Sequence, residues 1–93
     1  MMRELTEREA EALIARYIEP YPGDPRPGEY RLRAEVNGYP VWALIGSLAP
    51  DGSNAEQVAR DYAIPREAVA AARAFYARHR QAIDDRLAAN RAA

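Results

Sequence analysis

The sequence predicts a mostly α, small α+β fold: a helix-turn-helix domain with a short β-strand or hairpin and an additional N-terminal helix. Three patterns lead to this prediction. Apolar residues recur at helical spacing over 5–18, strict alternation over 30–36 is typical of a strand, and residues 58–69 have the spacing of two helices joined by a tight turn. A chain of 93 residues is expected to form one domain, 1–93, with its core over about 30–87.

Composition restricts the classes of function. There is no cysteine, which excludes disulfides and thiolate metal sites. All 13 basic residues are arginine, yet the net charge is −1, so any attraction to nucleic acid must come from a local patch. The sequence has no signal peptide and no apolar run long enough for a membrane span, which favours a cytoplasmic protein without membrane contact.

The N-terminal helix is predicted over 5–18. Thr6 and Glu9 have the spacing of a capping box, and an apolar stripe follows them. Pro20 ends the helix. The next segment, 20–28, is rich in proline and glycine and is expected to be a semi-rigid, extended connector.

The alternating segment 30–36 is predicted to be a half-buried strand, with Leu32 among the inward residues and Arg31 and Arg33 on the outer face. Asn37-Gly38 is a strong turn signal. A lone hairpin is only marginally stable in water, so this strand needs helix packing or a partner strand, and the same strand of a second subunit would serve.

A short buried helix is predicted over 42–48, and Ser53 with Glu56 has the spacing of a second capping box. The helix-turn-helix follows. Its inward positions are Val58, Ala59 and Tyr62 on the first helix and Val69 on the second, and its turn is Ala63-Ile64-Pro65. In this motif the second helix can enter the DNA major groove, but the same hairpin also occurs as a purely structural element.

The second helix of the motif is predicted to be long, from the Ile64-Pro65 break to Leu87. Its apolar face is too wide for a short domain to cover alone. We therefore expect a homo-oligomer, dimeric or higher, whose interface contains four residues of this helix: Phe75, Tyr76, Ile83 and Leu87.

Two arginine groups are candidate DNA contacts. Arg66, Arg73 and Arg80 form a stripe at helical spacing that could follow a phosphate backbone. Arg31 and Arg33 could act from a β-ribbon. The alternative for each group is a solvated arginine face.

Catalysis is not indicated. His79 is the only histidine, and it has no second histidine or cysteine with which to bind a metal. Asp84 and Asp85 are adjacent and diverge on a helix, so they cannot act as a paired acid and base. The sequence contains no glycine-rich phosphate loop and no nucleophile with a matching base. We expect no enzyme activity, no catalytic residues, no metal and no cofactor.

The run from Tyr30 to Tyr76 resembles the bacterial family catalogued as domain of unknown function 433. The matching elements are Asn37-Gly38, the segment 40–45, Gly52-Ser53, and the helix-turn-helix 58–69. Members resemble the antitoxins of VapBC-like toxin–antitoxin pairs, often encoded beside a PIN-like nuclease toxin. The resemblance implies a strand-flanked helix-turn-helix that dimerises, binds operator DNA and holds a PIN-like toxin. The N-terminal helix goes beyond the family pattern.

The leading hypothesis is therefore an antitoxin-like DNA-binding protein that also binds a toxin. The alternative is a protein–protein interaction module whose helix-turn-helix is purely structural and which binds no DNA. In either case a partner protein needs a contact surface. The stiff connector offers Tyr21 and Arg26 as possible anchors, together with the N-terminal helix, although it is equally compatible with a packed linker.

Overall fold

The computed structural model describes residues 5–92; residues 1–4 and Ala93, which belong to the predicted domain 1–93, lie outside the described residues. The predicted fold class is confirmed, because the described chain is mostly helical with a single two-stranded antiparallel sheet. Two short 3₁₀ turns, Pro27–Glu29 and Ala34–Val36, complete it. In chain order, the main elements are α1 (Glu7–Tyr17), β1 (Ile18–Glu19), β2 (Arg31–Leu32), α2 (Val41–Ser47), α3 (Ala55–Tyr62), α4 (Arg66–Arg78) and α5 (Arg80–Ala92).

Helix α1 starts at the predicted capping box. The Thr6 hydroxyl accepts from the backbone N–H of Glu9 at 3.1 Å, and the Glu9 carboxylate accepts from the backbone N–H of Thr6 at 2.9 Å. The helix ends at Tyr17, one residue earlier than predicted. Ile18 is already extended, with φ −115° and ψ 140°, and begins β1.

The sheet is shorter than the alternating pattern predicts. Only Arg31 and Leu32 form a strand, and they pair antiparallel with β1, so that Ile18 faces Leu32. The chain then turns back at the 3₁₀ turn Ala34–Val36, because the Leu32 N–H donates to the Tyr39 carbonyl at 2.8 Å. The partner strand therefore comes from the same chain, and no second subunit is required to pair with it.

The predicted helix-turn-helix is present as α3, a three-residue turn and α4. Ala63 ends α3 in the left-handed conformation at φ 55° and ψ 48°, the geometry that reverses a chain after a helix. The inward positions Val58, Ala59 and Val69 are buried as predicted. The second capping box is not formed, because the helix starts one residue later, at Ala55 after Asn54. The Asn54 side chain instead accepts from the Ala49 N–H at 2.8 Å and donates to the Ser47 carbonyl at 3.0 Å.

The single long helix predicted from residue 66 to Leu87 is wrong, since the chain breaks at His79 into α4 and α5. His79 has φ −131° and ψ 39°, and its ring lies 4.4 Å from that of Phe75. Beyond the break, α5 packs against α2 and the 3₁₀ turn Pro27–Glu29. Gly28 permits this approach, because a Cβ there would lie 2.9 Å from the Ala82 carbonyl oxygen.

The core lies where α4 meets α1, α2 and α3, and α5 closes it. The aromatic ring of Tyr30 stacks on Phe75 with centroids 4.9 Å apart. The Arg86 guanidinium lies 4.5 Å from the Trp42 ring and also pairs with Glu29 at 2.9 Å. The largest fully buried side chains are Leu32, Leu44, Ile83, Val41 and Val69.

Candidate functional site

The exposed face of α4 forms part of a groove of about 1130 Å³, which we call the interhelical groove. The start of α1, the end of α2 with the loop after it, and α5 supply the other residues. The groove combines apolar and charged side chains. It is lined by Leu5, Thr6, Glu7, Ala10, Ile45, Gly46, Leu48, Ala49, Pro50, Ala70, Arg73, Ala74, Tyr76, Ala77, Arg78, Arg80, Asp84, Leu87 and Arg91.

The apolar part of the groove combines small residues on α4 with larger side chains around them. Ala70, Ala74 and Ala77 leave space above the α4 backbone. Leu5, from the chain just before α1, is 44% exposed and is one of two large apolar side chains in the described chain that are exposed to this degree. A concave surface lined by alanines and leucines is suited to receiving apolar side chains of a partner.

The charged part of the groove is mainly positive. It contains four arginines but only two carboxylates, Glu7 and Asp84. Glu7 pairs with Arg78 at 3.2 Å. Within residues 5–92, the other three arginines of the groove make no ion pair with a carboxylate: Arg73, Arg80 and Arg91.

The second carboxylate of the groove, Asp84, accepts a hydrogen bond from an uncharged side chain. The Tyr76 hydroxyl donates to Asp84 at 2.8 Å, and this hydrogen bond, helped by burial, raises the pKa of Tyr76 above its ordinary value of 10.0. The Arg80 guanidinium lies 4.8 Å from the centre of the same ring, and its Nη1 is 3.4 Å from the hydroxyl oxygen. Tyr76 is thereby held in a fixed orientation at the edge of the groove.

Arg73 is positioned by the loop between α2 and α3. Gly52 has φ +74°, and a Cβ at this position would overlap the Arg73 guanidinium. The pKa of Asp51 is lowered, mainly because its carboxylate accepts from the Ser53 N–H at 2.9 Å and to a smaller extent because of the charge of Arg73. The absence of a side chain at Gly52 therefore leaves room for the arginine to lie across the loop.

The five arginines predicted to contact DNA do not all line the interhelical groove. Arg73 and Arg80 line the interhelical groove, whereas Arg66 does not and instead pairs with Glu56 of α3. Arg31 and Arg33 also lie outside the groove and converge on Glu19 of the neighbouring strand, at 2.9 Å and 3.5 Å. Three of the five are therefore ion-paired, although Arg31 and Arg33 share the single negative charge of Glu19.

Two of the four predicted interface residues are unavailable to a partner subunit. Phe75 is 3% exposed and Ile83 is 0% exposed in the chain's own core, so the prediction that they form an interface is corrected. The cause is the break at His79, which lets α5 fold over the face that a straight helix would leave uncovered. Tyr76 and Leu87 remain partly exposed, and both line the interhelical groove.

The connector holds its two predicted anchors on its surface. Tyr21 is 52% exposed, and the Arg31 guanidinium lies 5.5 Å from its ring centre. The Arg26 side chain is 75% exposed and pairs with Asp24 at 2.6 Å. This contact and the Arg26 backbone N–H lower the pKa of Asp24 from 3.8 to about 2. The prediction of an extended connector is corrected, because the Asp24 N–H donates to the Tyr21 carbonyl at 2.9 Å and closes a turn. Neither anchor lines the interhelical groove.

Sequence reasoning identified Arg73, Arg80, Tyr76 and Leu87 but assigned them to two separate surfaces. It missed Leu5, the end of α2 and Arg91 as parts of the same site. The pattern of α4 gave the only available signal, since its alanines alternate with arginines at helical spacing. The opposing walls come from residues distant in sequence, and no local pattern brings them together.

Within residues 5–92, no group of three or more histidine or acidic side chains is placed to hold a metal ion. No described helix has both the length and the apolar character needed to cross a lipid bilayer. No protein family, no curated protein sequence and no solved structure gives a significant match to the chain.

Proposed function

We propose that this chain is a binding protein without catalytic activity, and that its interhelical groove holds a partner protein. The observation that carries the proposal is the concave, partly apolar face of α4 between α1 on one side and α2 with α5 on the other. Such a surface buries side chains of a partner without any further cofactor. This is the interaction-module hypothesis, and it equally serves an antitoxin that holds its toxin.

A PIN-like toxin is the first partner to test, because the antitoxin resemblance implies one and a toxin gene would adjoin this gene. The proposal includes a cytoplasmic location, as expected from the sequence. If the hypothesis holds, the two proteins purify together after co-expression, and the complex has a fixed stoichiometry.

The decisive variant fills the groove and leaves the core intact. Ala77 is exposed and lines the groove, so Ala77→Trp places a large ring where the partner must lie. Ala12, exposed on α1 and outside the groove, provides the matched control Ala12→Trp. We expect Ala77→Trp to abolish capture of the co-expressed partner, while Ala12→Trp retains it. Capture that survives Ala77→Trp in a folded protein contradicts the proposal.

Operator DNA is the second candidate ligand, favoured by the three-residue turn between α3 and α4. A recognition helix must stand clear of its neighbours to enter a major groove about 12 Å wide. The concave setting of α4 is less suitable for this than for holding a protein segment. The ion pairs of Arg66 with Glu56 and of Arg31 and Arg33 with Glu19 weaken the case for a phosphate-binding surface further.

A mobility-shift titration with the gene's own promoter tests the DNA candidate. If DNA binds, log affinity falls linearly with log salt, and Arg66→Ala, Arg73→Ala or Arg80→Ala each reduces the slope by about one. The absence of a shift at low salt, both alone and with the partner, eliminates DNA binding.

A further inference from the structure

We propose that the segment held in the interhelical groove is an acidic amphipathic α-helix of the partner protein. This inference rests on the proposed function, since it assigns a chemical class to the segment bound at the same site. The charge of the groove, its apolar lining and its volume each support this inference.

The charge of the groove favours an acidic segment of the partner protein. Arg78 pairs with Glu7, and Asp84 keeps its negative charge while it accepts from the Tyr76 hydroxyl, so the four arginines and two carboxylates of the groove leave it a net charge of +2. Arg73, Arg80 and Arg91 form no direct ion pair inside the described chain, although Arg73 lies close enough to Asp51 for their charges to interact, and all three arginines are exposed. Carboxylates of a bound segment would be attracted to this net positive charge, whereas a basic segment would meet like charge.

The same charges disfavour a second copy of the chain as the occupant. A twofold dimer brings the same patch of each protomer together, so two grooves of like net charge would face each other. Of the four residues predicted to form the dimer, the two that line the groove, Tyr76 and Leu87, lie among these arginines, and the other two are buried.

The lining and volume of the groove are compatible with a helix that has one apolar face. A helix about 10–12 Å in diameter occupies roughly 420–610 Å³ per turn, so the groove volume of about 1130 Å³ corresponds to about two turns. Over that length a helix presents apolar side chains at i, i+3, i+4 and i+7. Leu5, Ile45 and Leu87 offer apolar contacts around the small α4 residues, and the acidic side chains of the segment face the arginines.

The test uses the full chain and a displayed library of random peptides of about 14 residues, a length of roughly four turns. Enriched peptides are expected to be acidic, with apolar residues at helical spacing, and to lose binding to Ala77→Trp. Arg73→Glu, Arg80→Glu and Arg91→Glu should each weaken a selected peptide roughly three- to tenfold. Arg60→Glu, an exposed change on α3 outside the groove, is the charge-matched control.

A charge swap makes the test independent of any loss of folding. A selected peptide with its glutamates changed to lysine should fail on the wild type and bind the triple Arg→Glu variant. No enrichment, enrichment of neutral or basic peptides, or acidic peptides still bound by Ala77→Trp overturns the inference. A dimer that Ala77→Trp dissociates, or duplex DNA that Ala77→Trp releases, overturns it as well.

The two proposals fail in different ways. If Ala77→Trp leaves capture of the co-expressed partner unchanged, the groove is not the partner site and the proposed function fails. If Ala77→Trp abolishes capture but the three arginine reversals have no more effect than Arg60→Glu, the groove binds the partner through other chemistry. Only the inference about the acidic helix then fails.

Discussion

The side-chain amide of Asn37 donates to the backbone carbonyl of Ala63, 3.0 Å away across 26 positions of sequence. The same amide lies 3.3 Å from the Tyr62 carbonyl, so it satisfies groups left open at the end of α3. Both residues adopt the left-handed backbone conformation, Asn37 with φ 72° and Ala63 with φ 55°. The turn after the sheet and the turn of the helix-turn-helix are therefore joined by one side chain.

The first prediction separates the two contributions of Asn37. Asn37→Gly keeps the left-handed backbone but loses both hydrogen bonds, and should lower the free energy of unfolding by about 1 kcal/mol. Asn37→Ala should cost roughly 1 kcal/mol more, because alanine also resists the positive φ. Urea denaturation measures both. Equal stability of the two variants would show that the backbone conformation carries no cost.

The second prediction concerns Ala63, where a helix end of this type usually has glycine. Ala63→Gly removes the steric cost of the left-handed conformation and should raise the free energy of unfolding by about 0.5–1 kcal/mol. Thermal unfolding followed by circular dichroism measures the change. A loss of stability would mean that the Ala63 methyl group contributes more through packing than its backbone conformation costs.

Local patterns predicted the elements that local chemistry determines. The Thr6–Glu9 capping box and the inward positions Val58 and Val69 are confirmed, because spacing alone specifies them. The break at His79 could not be predicted, since neither glycine nor proline marks it. It depends on the packing of α5 against the turn at Gly28, which is distant in sequence.

The interhelical groove could not be predicted in full for the same reason, because its walls come from residues distant in sequence. Its α4 side was visible as an arginine and alanine stripe, but Leu5 and Ile45 reach it only through tertiary packing.

The strand was predicted too long for a related reason. Alternation over 30–36 is compatible with a strand, but the backbone N–H of Leu32 finds its acceptor in Tyr39 and the chain must turn.

The third prediction tests the close approach of α5 to the turn at Gly28. Gly28→Ala places a methyl group 2.9 Å from the Ala82 carbonyl oxygen, which α5 must move to accommodate. We expect a loss of about 1–3 kcal/mol in the free energy of unfolding. Trp42, the only tryptophan, reports the movement by fluorescence, because Arg86 of α5 lies 4.5 Å from its ring. An unchanged spectrum and stability would show that α5 is loosely attached.

The fourth prediction concerns the pH dependence of the connector. The fold lowers the pKa of Asp24 from 3.8 to about 2, so it favours the ionised carboxylate. This contribution is fully present above pH 3.8 and is lost as the pH falls towards 2. Carbon-detected NMR titration of the Asp24 carboxyl group should give the lowered value, and Arg26→Met should return it towards 3.8. An Asp24 pKa that Arg26→Met leaves unchanged would contradict the assigned cause.

The last prediction distinguishes core residues of α5 from groove residues. Ile83 is 0% exposed, so Ile83→Ala should lower the free energy of unfolding by about 2–5 kcal/mol through lost burial and a cavity. Leu87 is partly exposed in the groove, so Leu87→Ala should cost less but weaken partner capture. Because Ile83 packs within one chain, the loss should be the same at low and high protein concentration. A midpoint of unfolding that rises with concentration in the wild type and not in Ile83→Ala would instead place this residue at an interface between subunits.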